Sequence, residues 1–148
     1  MEDYQAVSAL EEMEFAVHRQ ARPDYFHGTE QSYPMTEFEE LLGEDCPIAW
    51  LAELEGRVVG LCFGTIKDTP DSPVCKTRRV AFIQDVVTLP ECRGRGIASA
   101  LMARAREQAA AEKADSLELC VWNFNENALR LYERLGMRVQ YYRMEEKL

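Results

Sequence analysis

Apolar and polar positions change period along the chain, and each change marks an element. Ala6, Leu10, Met13 and Val17 recur at helical spacing, which predicts a helix from Met1 to Gln20 with Asp3 as N-cap. Residues 21–35 have no period and hold Pro23, Gly28 and Pro34, the composition of a loop. Thr36-x-x-Glu39 is a capping-box pattern that opens a short helix, with Phe38, Leu41 and Leu42 inward and Gly43 at its end. Ile48 to Leu54 and Arg57 to Ile66 are β-type runs joined as a hairpin at Glu55-Gly56. A turn-rich loop from Lys67 to Thr77 leads to a third β-type run, Arg78 to Leu89. Ile97, Leu101, Ala105 and Ala109 then place a helix from Gly96 to about Lys113. Ser116 to Trp122 reads as a strand, Asn125 to Leu135 as a helix closed by Gly136, and Val139 to Met144 as a last strand.

The predicted order is therefore α, α, β, β, β, α, β, α, β. Three antiparallel strands followed by a βαβ crossover make a mixed α/β sheet with helices on both faces. The 148 residues predict one domain, 1–148, with 47% hydrophobic and 29% charged residues, ordinary for a soluble globular protein. A net charge of −9 argues against a nucleic-acid partner and leans toward cationic small molecules. No apolar run approaches the roughly 20 residues of a membrane span, so no membrane partner is expected. The acidic N-terminus carries no secretory h-region. Cys46, Cys62, Cys75, Cys92 and Cys120 are scattered, which suits a reducing cytoplasm rather than a disulfide framework or zinc site. With only His18 and His27 as imidazoles, no metal centre is expected.

The densest chemistry follows Val80. The apolar run to Leu89 is stopped by Pro90, and Arg93-Gly94-Arg95-Gly96-Ile97-Ala98 opens a helix. First-turn N–H groups lack intrahelical partners and carry the positive end of the macrodipole, so this turn is an anion site. Its glycines let backbone approach a phosphate, and Arg93 and Arg95 add full charges. A dinucleotide fold is a rival reading, because Asp115 lies about 20 residues on. Against it, Ser99 stands where a third glycine is wanted, and the unit falls after residue 80 instead of opening the sheet. A P-loop is excluded, since no Gly-Lys-Ser/Thr occurs.

Arg93, Gly96 and Ala98 form Arg-x-x-Gly-x-Ala, which resembles the (Gln/Arg)-x-x-Gly-x-(Gly/Ala) signature of GNAT-type N-acetyltransferases. A second block, Asn125 to Met137, is similar to that family's Asn-x-x-Ala-x-x-x-Tyr-x-x-x-Gly-Phe segment, with Met137 where Phe is usual. The resemblance covers about Ile48 to Met144. It implies a GNAT-like acyl-CoA N-acyltransferase fold, a largely antiparallel twisted sheet flanked by helices. It also implies acetyl-CoA as cosubstrate, with its pyrophosphate on the turn from Arg93 to Ala98. Its pantetheine arm would lie between two splayed strands, beside Val86 and Val87, with a backbone N–H near Val87 facing the thioester oxygen. The family usually opens with a short strand. Here that edge strand is expected to be absent or supplied otherwise, since the chain starts almost at the helix, as a mis-set start codon would also produce. The region before Ile48 would form one wall of the acceptor pocket, where Tyr25, Phe26, Gln84 and Trp122 are the candidate residues. Packing under a loop is the plainer role for such aromatics. Family habit adds a homodimer through exposed strand edges, Val139 to Met144 among them.

Acetyl transfer to an amine needs a held CoA, a neutral amine, a stabilised oxyanion and a proton for the leaving thiolate. Tyr132 is the candidate acid, against a plain role at the core edge. Asn125 would bond the CoA arm while capping its helix. Many relatives carry Glu where this chain has Gln84, which cannot be a base. Asp85 is the next carboxylate, on the opposite face by alternation, as base through a water or as a structural acceptor, and bulk water is the alternative base for a bound amine that is already partly neutral. Cys120 as a ping-pong nucleophile lacks a nearby His in sequence. The expected function is acetyl transfer from acetyl-CoA to a primary amine by direct attack in a ternary complex. The acceptor is a polyamine-like or amino-acid compound, an aminoglycoside, or a peptide amine. The alternative is a catalytically silent CoA-binding sensor of the same fold.

Overall fold

The computed structural model describes residues 2–28, 39 and 47–148. The predicted capping-box helix from Thr36 to Gly43 lies outside them apart from Glu39. The first helix, α1, spans Glu2–Ala21. Val7, Leu10 and Glu11 are its fully buried positions, with Tyr4 and Met13 packed beside them. Because α1 begins at Glu2, Asp3 falls inside the first turn instead of capping it. A carboxylate there still favours the positive end of the helix.

Strands β1 (Ile48–Leu54) and β2 (Arg57–Asp68) form the expected hairpin. Its turn residues Glu55 and Gly56 both have positive φ, the geometry that matches strand twist in a tight hairpin. β3 spans Arg79–Thr88, a short 3-10 turn covers Pro90–Cys92, and α2 runs Ile97–Ala111. β4 is Ser116–Leu119 and α3 is Glu126–Arg134. The strand order is β1-β2-β3-β4, antiparallel except for the parallel β3–β4 pair that α2 connects.

Alternation along β2 sends one set of side chains to each face. Val59, Leu61 and Phe63 join the cluster under α1, and Cys62 and Ile66 join the cluster under α2. The β2–β3 register shifts between Phe63, which faces Asp85, and Gly64, which faces Ile83. Gln84 is thus the extra residue of a β-bulge, and Asp85 takes the α1 face.

Two expectations fail at the parallel edge. β4 stops at Leu119, before Trp122, so its ladder with β3 ends at the pair Ile83–Leu119. Val139 to Met144 form no strand. Val139, Tyr141, Tyr142 and Met144 are exposed, and the segment is held at its end by Arg22–Glu145 and Asp24–Lys147 pairs. β-type sequence expresses fit to a half-buried pleated surface, and these residues have no such surface.

Gly64 tests this packing. A Cβ there would sit 2.6 Å from the Phe82 carbonyl oxygen and 3.2 Å from Ile83 Cα, both backbone. Gly64→Ala should destabilise the fold by about 1–3 kcal/mol, measured by chemical denaturation.

Candidate active site

Beyond Ile83 and Leu119 the two parallel strands part. β3 continues to Thr88 along β2, but no strand among the described residues pairs with its other edge there. Leu89 N–H donates to the Val59 carbonyl oxygen at 2.9 Å. Two-residue alternation then turns the Val87 N–H toward β2 and the Val86 and Thr88 N–H groups toward the open edge. The Thr88 hydroxyl is buried without a partner in the same stretch.

A cavity of about 60 Å³ sits in the opening. That is room for about four waters or one small amine head, not for a whole cosubstrate. Its walls come from four directions: Glu14 and His18 on α1, Ile83, Gln84 and Val86 on β3, residues 119–122 after the strand pair parts, and Asn125, Ala128 and Tyr132 at α3. Asn125 caps α3, its side-chain oxygen accepting from the Ala128 N–H at 3.2 Å, while also lining the cavity. Burial, then the charges of Glu14, Cys62 and Asp85, raise the Tyr132 phenol above its usual range, so it stays a proton donor.

Under the cavity floor lie three carboxyl groups. Glu11, Glu14 and Asp85 each bring an oxygen within 4.8 Å of the others. Glu11 is 0% exposed and, among the described residues, neither of its oxygens has a hydrogen-bond partner; Glu14 Oε2 is also buried and has none among them. Burial, then the charges of Asp85 and Glu14, push Glu11 up to about 9. Burial, then Asp85, pushes Glu14 up to about 8. Carboxyl oxygens are hard donors for a cation, and the approach from the cavity is through Glu14.

The turn before α2 has the form expected of an anion site. Gly94 and Gly96 have φ of +75° and +81°, a region that side chains disfavour by about 1–2 kcal/mol. No side chain caps α2 and no acid occupies its first turn. A Cβ at either glycine would meet nothing within 4 Å, so the ground in front is open. Arg93 and Arg95 are exposed beside it.

Aromatic rings close the other side. Trp122 meets Tyr25 at 5.2 Å, Phe26 at 5.7 Å and Phe124 at 5.7 Å between centroids. His18 meets Phe26 at 5.4 Å and Phe124 at 5.5 Å, and Arg22 lies over Tyr25 and Trp122. The His18 Nδ1–H donates to the Glu14 carbonyl oxygen at 2.9 Å.

Of the residues singled out in the sequence, Gln84, Val86, Cys120, Trp122, Asn125 and Tyr132 share the cavity. Tyr25 and Phe26 join it through Trp122. Asp85 points to α1 and does not line the cavity, and Val87 is buried on that same face. Arg93 to Ala98 lie apart from the cavity, at the head of α2. Sequence reading missed Glu11, Glu14, His18 and Phe124. A signal existed: Val7, Leu10, Glu11, Glu14 and His18 form one helical stripe, and acids in an apolar stripe are out of place.

Residues 15–137 match the model of the acetyltransferase (GNAT) family. An uncharacterised N-acetyltransferase of Archaeoglobus fulgidus is 33% identical over 101 residues, 68% of this chain and 67% of that protein. The chain is also similar in structure to a mutant form of the BH1408 protein of Bacillus halodurans, with TM-score 0.95 at 27% identity, covering 99% of this chain and 94% of that one. It shares its fold with the aminoglycoside N-acetyltransferase AAC(6')-Iy in complex with CoA, at TM-score 0.61 and 22% identity over 75% of this chain and 85% of that one.

The buried acids set a pH dependence of stability. Glu11 keeps its proton in the fold to about pH 9 but loses it near 4.5 when unfolded. Its contribution is complete below about pH 4.5 and is lost as pH rises to about 9, because the unfolded chain then binds fewer protons. Thermal unfolding should show stability falling across that window. Glu11→Gln should match the parent at pH 5 and exceed it at pH 9 by more than about 1.4 kcal/mol, the worth of one pKa unit.

Proposed function

The chain belongs to the acetyltransferase (GNAT) family, and on that footing we propose that it moves acetyl from acetyl-CoA to a primary amine by direct attack in a ternary complex. The observation that carries this is the uncapped, glycine-lined N-terminus of α2 at the end of a strand whose outer edge is open. Pyrophosphate oxygens would take the first-turn N–H groups of α2, with Arg93 and Arg95 adding charge. Pantetheine amides would complete the strand edge left open at Val86 and Thr88. A backbone N–H of this edge, beside Val87, would then meet the oxyanion, a contribution typically of about 2.7–4 kcal/mol. Asn125 would bond the arm while capping α3.

Tyr132 is the proton donor to the departing thiolate. Its phenol is held protonated at every working pH, so it can bond to sulfur as charge develops there. The acceptor head occupies the cavity bounded by Gln84, Trp122 and Glu14. Aromatic faces and carboxyl groups are the surroundings that suit a cationic amine. AAC(6')-Iy, as an aminoglycoside N-acetyltransferase, and the net charge of −9 both favour that class. No helix among the described residues is long and apolar enough to cross a membrane, and no disulfide joins the described cysteines, a state that suits a reducing cytoplasm.

Thiol release from acetyl-CoA with spermidine, a lysine peptide and an aminoglycoside tests the proposal. Turnover on at least one amine is expected. Tyr132→Phe should lower kcat about 100-fold with little change in KM for acetyl-CoA. Gly96→Ala should raise that KM and cost about 1–2 kcal/mol of stability. CoA binding with no release on any amine would instead mark a silent sensor.

A further inference from the structure

An amine enters neutral water as an ammonium, with a pKa of about 10.4 for a lysine-type group, and something must take its proton. Gln84, at the bulge of β3, has no acid–base chemistry, and Asp85 lies on the α1 face without lining the cavity. Given acetyl transfer to an amine at this site, on which this inference rests, we propose that Glu14 of α1 is the general base for the acceptor, with Glu11 and Asp85 as positioning residues behind it.

Geometry carries this assignment. Glu14 is the one carboxyl group among the described residues lining the cavity, and it shares that cavity with Tyr132. Its Oε2 is buried with no partner among the described residues, and behind it the fully buried Glu11 has none there for either oxygen. No lysine or arginine lines the cavity, so among the described residues no fixed cation there answers these acids. Protons, or the incoming ammonium, are what can. The titratable groups facing Glu14 are Glu11 and His18 on α1, Asp85 on β3, Cys120 after β4 and Tyr132 on α3. Burial and, after it, the charge of Asp85 both favour the protonated form, which holds Glu14 at about 8, close to the working range of an efficient base. His18 sits one turn further out, its Nδ1–H committed to the Glu14 carbonyl and its ring among Phe15, Phe26 and Phe124.

Protons and bonds balance. The ammonium gives one proton to Glu14, which returns it to solvent. The neutral nitrogen attacks the thioester carbon, forming the C–N bond. As the adduct collapses, the C–S bond breaks, sulfur leaves with the electron pair and takes the Tyr132 proton. The second nitrogen proton restores that of Tyr132.

The test compares the pH profile of kcat/KM for Glu14→Gln, Asp85→Asn and His18→Asn with the parent, using acetyl-CoA and the amine that turns over best among spermidine, a lysine peptide and an aminoglycoside. Glu14→Gln should lose about 100-fold at neutral pH, lose the limb near pH 8 and keep its affinity for CoA by calorimetry. Asp85→Asn should retain that limb but move it to lower pH, since a like charge is removed. His18→Asn should retain it in place. A parent that turns over while Glu14→Gln keeps both rate and limb would overturn the assignment alone, as would loss of the limb in His18→Asn. Activity abolished by a chelator and restored by magnesium would put a metal, not a proton, among the three carboxyl groups and also overturn it. A parent inactive on every amine would sink the acetyl-transfer reading itself.

Discussion

Backbone hydrogen-bonding groups inside a protein must find partners, and the parting of β3 from β4 denies them to a short stretch of main chain. Up to Ile83 and Leu119 the ladder is complete. Beyond it, Val86 and Thr88 present their N–H groups to an opening that no described strand fills. A buried, unpaired amide costs about as much as a lost hydrogen bond, so the opening is stable only if something polar can enter it. An extended, amide-bearing arm is the complement of such an edge. The head of α2, uncapped and lined by Gly94 and Gly96, stands at the same end of β3. Two open backbone surfaces, one along a strand and one at a helix tip, thus lie at the same end of β3.

The carboxyl groups under this opening follow a different logic. Glu11 replaces an apolar side chain in the stripe of α1 that carries Val7 and Leu10. Burying an unpaired charge is far more costly than burying its protonated form, so the fold keeps the proton instead of the charge. Such a group weakens the fold as pH rises.

Much of this architecture was legible from periodicity. The hairpin, the crossover helix and the two amphipathic helices follow from local spacing and turn residues, and each appears within a few residues of its expected limits. The terminal stretch from Val139 to Met144 has the same β-type alternation, yet it stays outside the sheet. Strand formation depends on an available edge and a surface to pack against, and neither is written in the strand's own residues.

The residues themselves determined the glycine-and-arginine turn before α2, because glycines at left-handed positions, arginines and a helix start are all local properties. They also determined the family, through two blocks whose spacing is one helix and one strand. Tertiary structure alone decided which acids meet. Glu11 and Glu14 lie more than 70 residues from Asp85 in the chain, and the β-bulge at Gln84 sets which face of β3 turns toward α1. Proximity of that kind is a product of packing, so the shared proton environment of these three groups exists only once the helix lies on the sheet.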